Sequence, residues 1–191
     1  MQTRAWCATV ALLAVAGCAE GTKPTEPTNP SGGQPMAIEL TSTAFKAGER
    51  IPRKHTGEAE DLSPALAWKG APAAAKEFAL ICDDPDAPSA KRPRPEGPWV
   101  HWVLYRIPAQ TASLPEGSKG IGIEGMTDFG QPGYGGPMPP QGSGPHRYFF
   151  RVYALGTALD LKPGATQAQL LAAMKGHVIA QGELMGTYER K

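Results

Sequence analysis

A chain of 191 residues with 41% hydrophobic side chains can bury one ordinary core and does not comfortably hold two domains. Its formal charge of +1 offers no basic excess, which excludes nucleic acid as a partner, because phosphate contacts need clustered Lys and Arg. The 23 glycines and 20 prolines argue against a helical architecture and for short strands joined by many turns.

Met1 to Arg4 carry one positive charge, and Ala5 to Ala14 are nearly all apolar. That run is too short to cross a bilayer and has the length of a signal segment. Val15-Ala16-Gly17-Cys18 follows and resembles a bacterial lipobox. The expectation is cleavage before Cys18 and acylation of that residue, palmitate included, making an exported, lipid-anchored envelope protein. Two or more acyl chains anchor stably where one is marginal. Ala19 rather than Asp comes next, as in lipoproteins sorted to the outer membrane of a two-membrane cell. Loss of residues 1–18 removes Arg4 and no acid, which leaves 18 basic against 18 acidic residues. Residues 19–36 are rich in Pro, Thr and Gly and lack an apolar period, so they read as a disordered tether. Residues 37–191 form the domain.

Within the domain, Ala37 to Leu40 reads as a short strand and Phe78 to Cys82 as a fully buried one. Cys82 is the domain's lone cysteine, so no disulfide is available there and a buried, inert thiol is expected. Trp99 to Ile107 alternates, which puts Trp99, His101, Val103, Tyr105 and Ile107 on one face. Tyr148 to Leu155 alternates likewise, with Tyr148, Phe150 and Val152 together. One helix is expected: Thr166 caps it, Gln169 completes a capping box and Gly176 stops it. Leu170, Leu171 and Met174 would then pack on a mostly antiparallel sheet.

Three clusters carry chemistry. Asp83-Asp84-Pro85-Asp86-Ala87-Pro88 follows the buried strand, where prolines stiffen the loop and carboxylates can line a cleft. His101-Trp102 lies within a strand. The Gly/Pro loop from Gly130 to Pro145 leads into His146-Arg147-Tyr148, so His146 and Tyr148 share a face. Taken one at a time, they are better explained as a turn, a core histidine and a long connector. The basic run Lys91-Arg92-Pro93-Arg94 reads as a solvated loop. Gly120-Ile121-Gly122-Ile123-Glu124-Gly125 matches a dinucleotide-binding pattern, but no helix follows it.

Together these segments resemble the phosphatidylethanolamine-binding protein family, which includes bacterial Raf-kinase-inhibitor-like proteins. The resemblance rests on Asp84-Pro85-Asp86-Ala87-Pro88-Ser89, on His101-Trp102-Val103 and on the stretch from Tyr134 to Tyr148. Ser63-Pro64-Ala65-Leu66-Ala67-Trp68 and Gly186-Thr187-Tyr188 fit as well, so it spans about Ile38 to Arg190. It implies a mainly β fold of two antiparallel sheets with short peripheral helices. It also implies a surface pocket for phosphate, another anion or a phospholipid headgroup. Carried onto this chain, the pocket comprises Asp84, His101, His146 and Tyr148, with Ala87, Met138 and Pro139 at its rim. The imidazoles and the phenol would donate to phosphate oxygens, Asp84 would orient an imidazole, and binding would strengthen as pH falls. Met138 stands where bacterial relatives often have Cys, which removes any thiol role there.

The resulting expectation is non-catalytic binding of an anionic small ligand or phospholipid headgroup, with no cofactor, no metal and no catalytic residue. Inhibition of a protease partner through the pocket loops is the alternative, a kinase being less accessible to an exported protein. A hydrolase is the remote alternative. Ser143 is the nearby hydroxyl, and Gln141 breaks the G-x-S-x-G spacing around it.

Overall fold

The computed structural model describes residues 35–191; the expected signal segment, Cys18 and the tether up to residue 34 lie outside them. In chain order the strands are β1 (Met36–Ala37), β2 (Glu39–Ser42), β3 (Leu66–Lys69), β4 (Glu77–Asp84), β5 (Pro88–Ser89), β6 (Arg92–Pro93), β7 (Trp99–Pro108), β8 (Ser113–Leu114), β9 (Ile123–Glu124), β10 (His146–Leu155) and β11 (Val178–Tyr188). The helix α1 (Gln167–Met174) precedes β11, and a 3-10 turn covers Arg53–His55.

Six strands form a large sheet in the order β1-β11-β10-β4-β7-β9. β1 runs parallel to β11, and the other neighbours are antiparallel. β2, β3 and β8 make a smaller antiparallel sheet, and β5 and β6 a hairpin. Every residue of β4 is buried. Phe78, Leu80 and Cys82 pack with Leu40, Leu66, Trp68 and Leu114 of the small sheet. Ala79 and Ile81 point the other way, toward Leu170 and Met174 of α1. Coverage on both faces explains why this strand is a continuous apolar run instead of an alternating one. Burial also pushes the Cys82 thiol well above its ordinary pKa, which keeps it protonated and inert.

The expected capping box is present: Thr166 Oγ1 accepts from the Gln169 N–H, and the Gln169 side chain accepts from the Thr166 N–H. Leu171 departs from expectation. It is 44% exposed, because a helix turns about 100° per residue and the stripe of Leu170 and Met174 excludes the next position. The strand expected over Ala37 to Leu40 is instead divided between two sheets. Ile38 sits at the crossing, and its N–H donates to the Gln181 carbonyl. The eleven-residue β11 has no clean period in the sequence. Its Gly182 lies where a Cβ would come within 2.3 Å of the Ile38 carbonyl oxygen, so a glycine there serves close chain approach.

The expected single face of β7 is also overturned. The β4–β7 register shifts twice, between Phe78 and Leu80 and between Cys82 and Asp83. On the β7 side these slips fall at Arg106, which has a left-handed φ of 53°, and at His101. Val103 and Tyr105 therefore join the helix-side core while Trp102, Leu104 and Ile107 join the core under the small sheet. Each extra residue inverts the alternation beyond it. The slip at His101 turns that side chain toward Tyr148 and Phe129.

Candidate ligand-binding site

The C-terminal end of β4, the start of β7 and the start of β10 lie side by side, since Asp84 pairs with Trp99 and Asp83 with Phe149. The segment from Phe129 to Pro140 folds over that corner. It is tied down by the Gly135 N–H to the His101 carbonyl (2.9 Å), the Gly136 N–H to Asp61 Oδ1 (2.6 Å) and the Tyr134 hydroxyl to the His55 carbonyl (2.8 Å). Between them lies a cavity of about 360 Å³ lined by Asp84, Ala87, Pro88, Arg94, Trp99, His101, Phe129, Met138, Pro139, Pro140 and Tyr148.

Of the residues expected at the pocket, Asp84, Ala87, His101, Met138, Pro139 and Tyr148 line this cavity. His146 does not; it is fully buried behind Asp84. Its Nδ1 lies 2.7 Å from Asp84 Oδ2 and its Nε2 lies 3.0 Å from Ser143 Oγ. It thus supports the carboxylate from behind the cavity wall. The structure does pair Asp84 with an imidazole as expected, and the other carboxylate oxygen accepts the Asp86 N–H at 2.7 Å. Ser143 Oγ is also 2.7 Å from the Pro140 carbonyl. That carbonyl competes for the hydroxyl hydrogen a nucleophile would pass to His146, so the line Asp84–His146–Ser143 braces the rim of the cavity.

His101 reaches the Gly135 carbonyl through Nδ1 at 2.6 Å, so its N–H faces the protein and not the cavity. Burial pulls its pKa below the ordinary imidazole value; the Gly135 bond and the nearby carboxylates of Asp84, Asp83 and Asp61 only partly oppose this. Tyr148 is 1% exposed and packs edge-on to His101. Its hydroxyl is near the Asp84 carboxylate yet has no well-aligned hydrogen-bond partner among the described residues. Burial, with Asp84 beside it, drives this phenol far above its ordinary pKa, so it remains protonated.

Sequence reasoning missed Pro88, Trp99, Phe129 and Pro140 as wall residues, and it placed Arg94 in solvent. Lys91 and Arg92 are indeed exposed. Arg94 instead lines the cavity, with Nη1 2.6 Å from Asp128 Oδ2 and its guanidinium stacked 4.8 Å over the Trp99 ring. Nothing in the sequence links Arg94 to an aspartate 34 positions later. Trp99 had a visible signal, being two residues before His101.

The family model described as phosphatidylethanolamine-binding protein matches residues 41–189. The chain belongs to the phosphatidylethanolamine-binding protein family. A UPF0098 protein of Methanothermobacter thermautotrophicus is 46% identical over 159 residues, covering 80% of this chain and 99% of that protein. A solved structure of a putative family homologue from Chlamydia trachomatis superposes with a TM-score of 0.75 at 41% identity, covering 81% of this chain and 99% of that one. E. coli YbcL, described as a new member of the mammalian PEBP family, gives 0.72 at 34% identity with coverage of 81% and 99%.

In this member of the phosphatidylethanolamine-binding protein family the D-P-D-A-P segment does two jobs. Asp84 faces the cavity, whereas Asp86 turns away and grips Arg147. Asp86 accepts Arg147 Nε and Nη2 at 2.8 Å each and the Arg147 backbone N–H at 3.0 Å. The Arg147 guanidinium holds the Asp86 carboxyl below its ordinary pKa. This clamp joins the loop after β4 to the start of β10 and so sets the spacing between Asp84 and Tyr148.

Proposed function

We propose that the cavity binds a phosphate-bearing or otherwise anionic small ligand, or a phospholipid headgroup, without transforming it. The observation that carries this reading is the Tyr148 hydroxyl, buried in a cavity wall beside the Asp84 carboxylate and without a well-aligned partner among the described residues. A buried hydroxyl with no partner loses free energy that a phosphoryl oxygen restores. Trp99, Phe129, Met138 and the prolines provide an apolar mouth above this polar floor, which suits an ester substituent or an acyl-proximal headgroup. The family resemblance supports the same reading.

Tyr148→Phe tests it with effects of opposite sign. Without ligand, the variant should match the wild type in stability or gain up to about 1 kcal/mol, since an unpaired polar group is removed. Its affinity for phosphate, measured by calorimetry, should fall about tenfold or more, because a hydrogen bond to a charged acceptor is lost. Unchanged affinity in the variant, or no heat with the wild type, overturns the reading.

We propose in addition that the domain works at a membrane surface through acylated Cys18, a reading supported by the sequence alone. Intact mass of membrane-extracted protein should show an acylated N-terminal cysteine, and Cys18→Ser should release the protein to the soluble fraction. An unmodified N-terminus upstream of Cys18 ends this part.

A further inference from the structure

The tautomer of His101 decides which anions the cavity can recognise. A carbonyl oxygen only accepts, so the 2.6 Å contact with Gly135 places the hydrogen on Nδ1. Neutral His101 therefore leaves Nε2 as a bare lone pair, with no protein partner among the described residues. Burial favours this neutral form against the pull of Asp84, Asp83 and Asp61. The other polar groups of the floor are the Asp84 carboxylate, which also only accepts, and the Tyr148 hydroxyl, which has one hydrogen to give.

Such a floor is short of donors. A sulfate or a phosphodiester carries only acceptor oxygens and would set lone pair against lone pair at Nε2. A dianion would also be repelled by the Asp84 carboxylate. A phosphomonoester, or inorganic phosphate, that keeps one proton has a single negative charge and one P–O–H group. That hydroxyl can donate to Nε2 while a second phosphoryl oxygen accepts from Tyr148. Arg94 at the wall is stacked on Trp99 and paired with both Asp128 and Glu96, so it adds little net positive charge, which further disfavours a dianion.

We propose that the cavity selects phosphomonoesters and inorganic phosphate in their singly protonated form, the ligand's own P–O–H donating to Nε2 of His101. This rests on the phosphoryl-binding reading above and narrows it. Phosphodiester headgroups, phosphatidylethanolamine among them, are then disfavoured, and a lipid source would be a monoester headgroup such as phosphatidic acid.

The test uses the full-length chain near pH 5.5, where monoesters are mostly monoanionic, their second ionisation lying at about pH 6. Calorimetry should show inorganic phosphate and methyl phosphate binding at least tenfold more tightly than sulfate and dimethyl phosphate. Phosphatidylcholine vesicles doped with phosphatidic acid or with phosphatidylglycerol form the lipid arm. Capture by phosphatidic acid alone supports the same chemistry from a membrane source. Nitrogen-15 imidazole spectra of the ligand-free protein should show His101 protonated at Nδ1 and bare at Nε2. His101→Ala should bring the monoester-to-diester ratio toward one; if that variant does not fold, the wild-type ratios decide. Dimethyl phosphate or sulfate binding within threefold of their counterparts, or a hydrogen on Nε2, sinks the selectivity and leaves anion binding standing. Absence of binding by all four anions sinks the phosphoryl reading itself, and this inference with it.

Discussion

Asp84→Ala is expected to lower folding stability by about 2–4 kcal/mol, because two buried donors lose their hydrogen-bond acceptor. Asp84 is 2% exposed, and its two oxygens hold two different segments. One accepts the Asp86 N–H and shapes the D-P-D-A-P turn; the other meets His146 at the start of β10. Alanine leaves His146 sealed in the interior with an unpaired ring nitrogen and lets the turn relax. The urea midpoint should drop with the slope unchanged, since the surface exposed on unfolding is the same. Asp84→Asn should cost about 1–2 kcal/mol, because an amide oxygen still accepts one of the two hydrogen bonds. An Asp84→Ala midpoint equal to that of the wild type would show that the pair contributes nothing to stability.

Gly136→Ala is expected to be nearly as damaging. A Cβ there would lie 2.3 Å from the His55 carbonyl oxygen, 2.5 Å from Asp61 Oδ1 and 2.8 Å from the Thr56 Cα. Two of the three are backbone atoms and cannot swing aside. Forcing them apart costs about 3 kcal/mol or more, or roughly 10 °C in melting temperature for a domain of this size. It also breaks the Gly136 N–H bond to Asp61 and shifts the neighbouring Gly135, on which His101 hangs, so phosphate binding should weaken in the same variant. Gly142→Ala is the control. Gly142 has a left-handed φ of 76° but open space around it, so only conformational strain of about 1 kcal/mol is expected. Equal melting temperatures for the two variants would refute a packing role for Gly136.

Parts of the fold were legible because local rules coincide with the tertiary outcome there. Tyr148, Phe150 and Val152 alternate in the sequence and share one core in the structure, since β10 pairs with β4 without a slip. Thr166 and Gln169 announce the helix start because a capping box is made entirely of residues three apart. β7 was misread where the chain gains residues against β4; no local pattern marks slips set by a partner strand elsewhere in the chain. β11 escaped notice because Gly182 and Gly186 answer to segments crossing over them, Ile38 and Ile51, and not to neighbours in sequence.

For the site, the sequence by itself determined which residues carry the chemistry and the family they belong to, because Asp84, His101 and Tyr148 stand in recognisable runs. Only the tertiary structure decided their roles. It withdrew His146 behind Asp84, turned the His101 N–H inward to Gly135, left the Tyr148 hydroxyl without a well-aligned partner among the described residues and brought Arg94 to the wall. The physical reason is that residue identity fixes how many hydrogens and lone pairs a side chain has. Which of them remain free depends on backbone carbonyls and carboxylates delivered from distant parts of the chain.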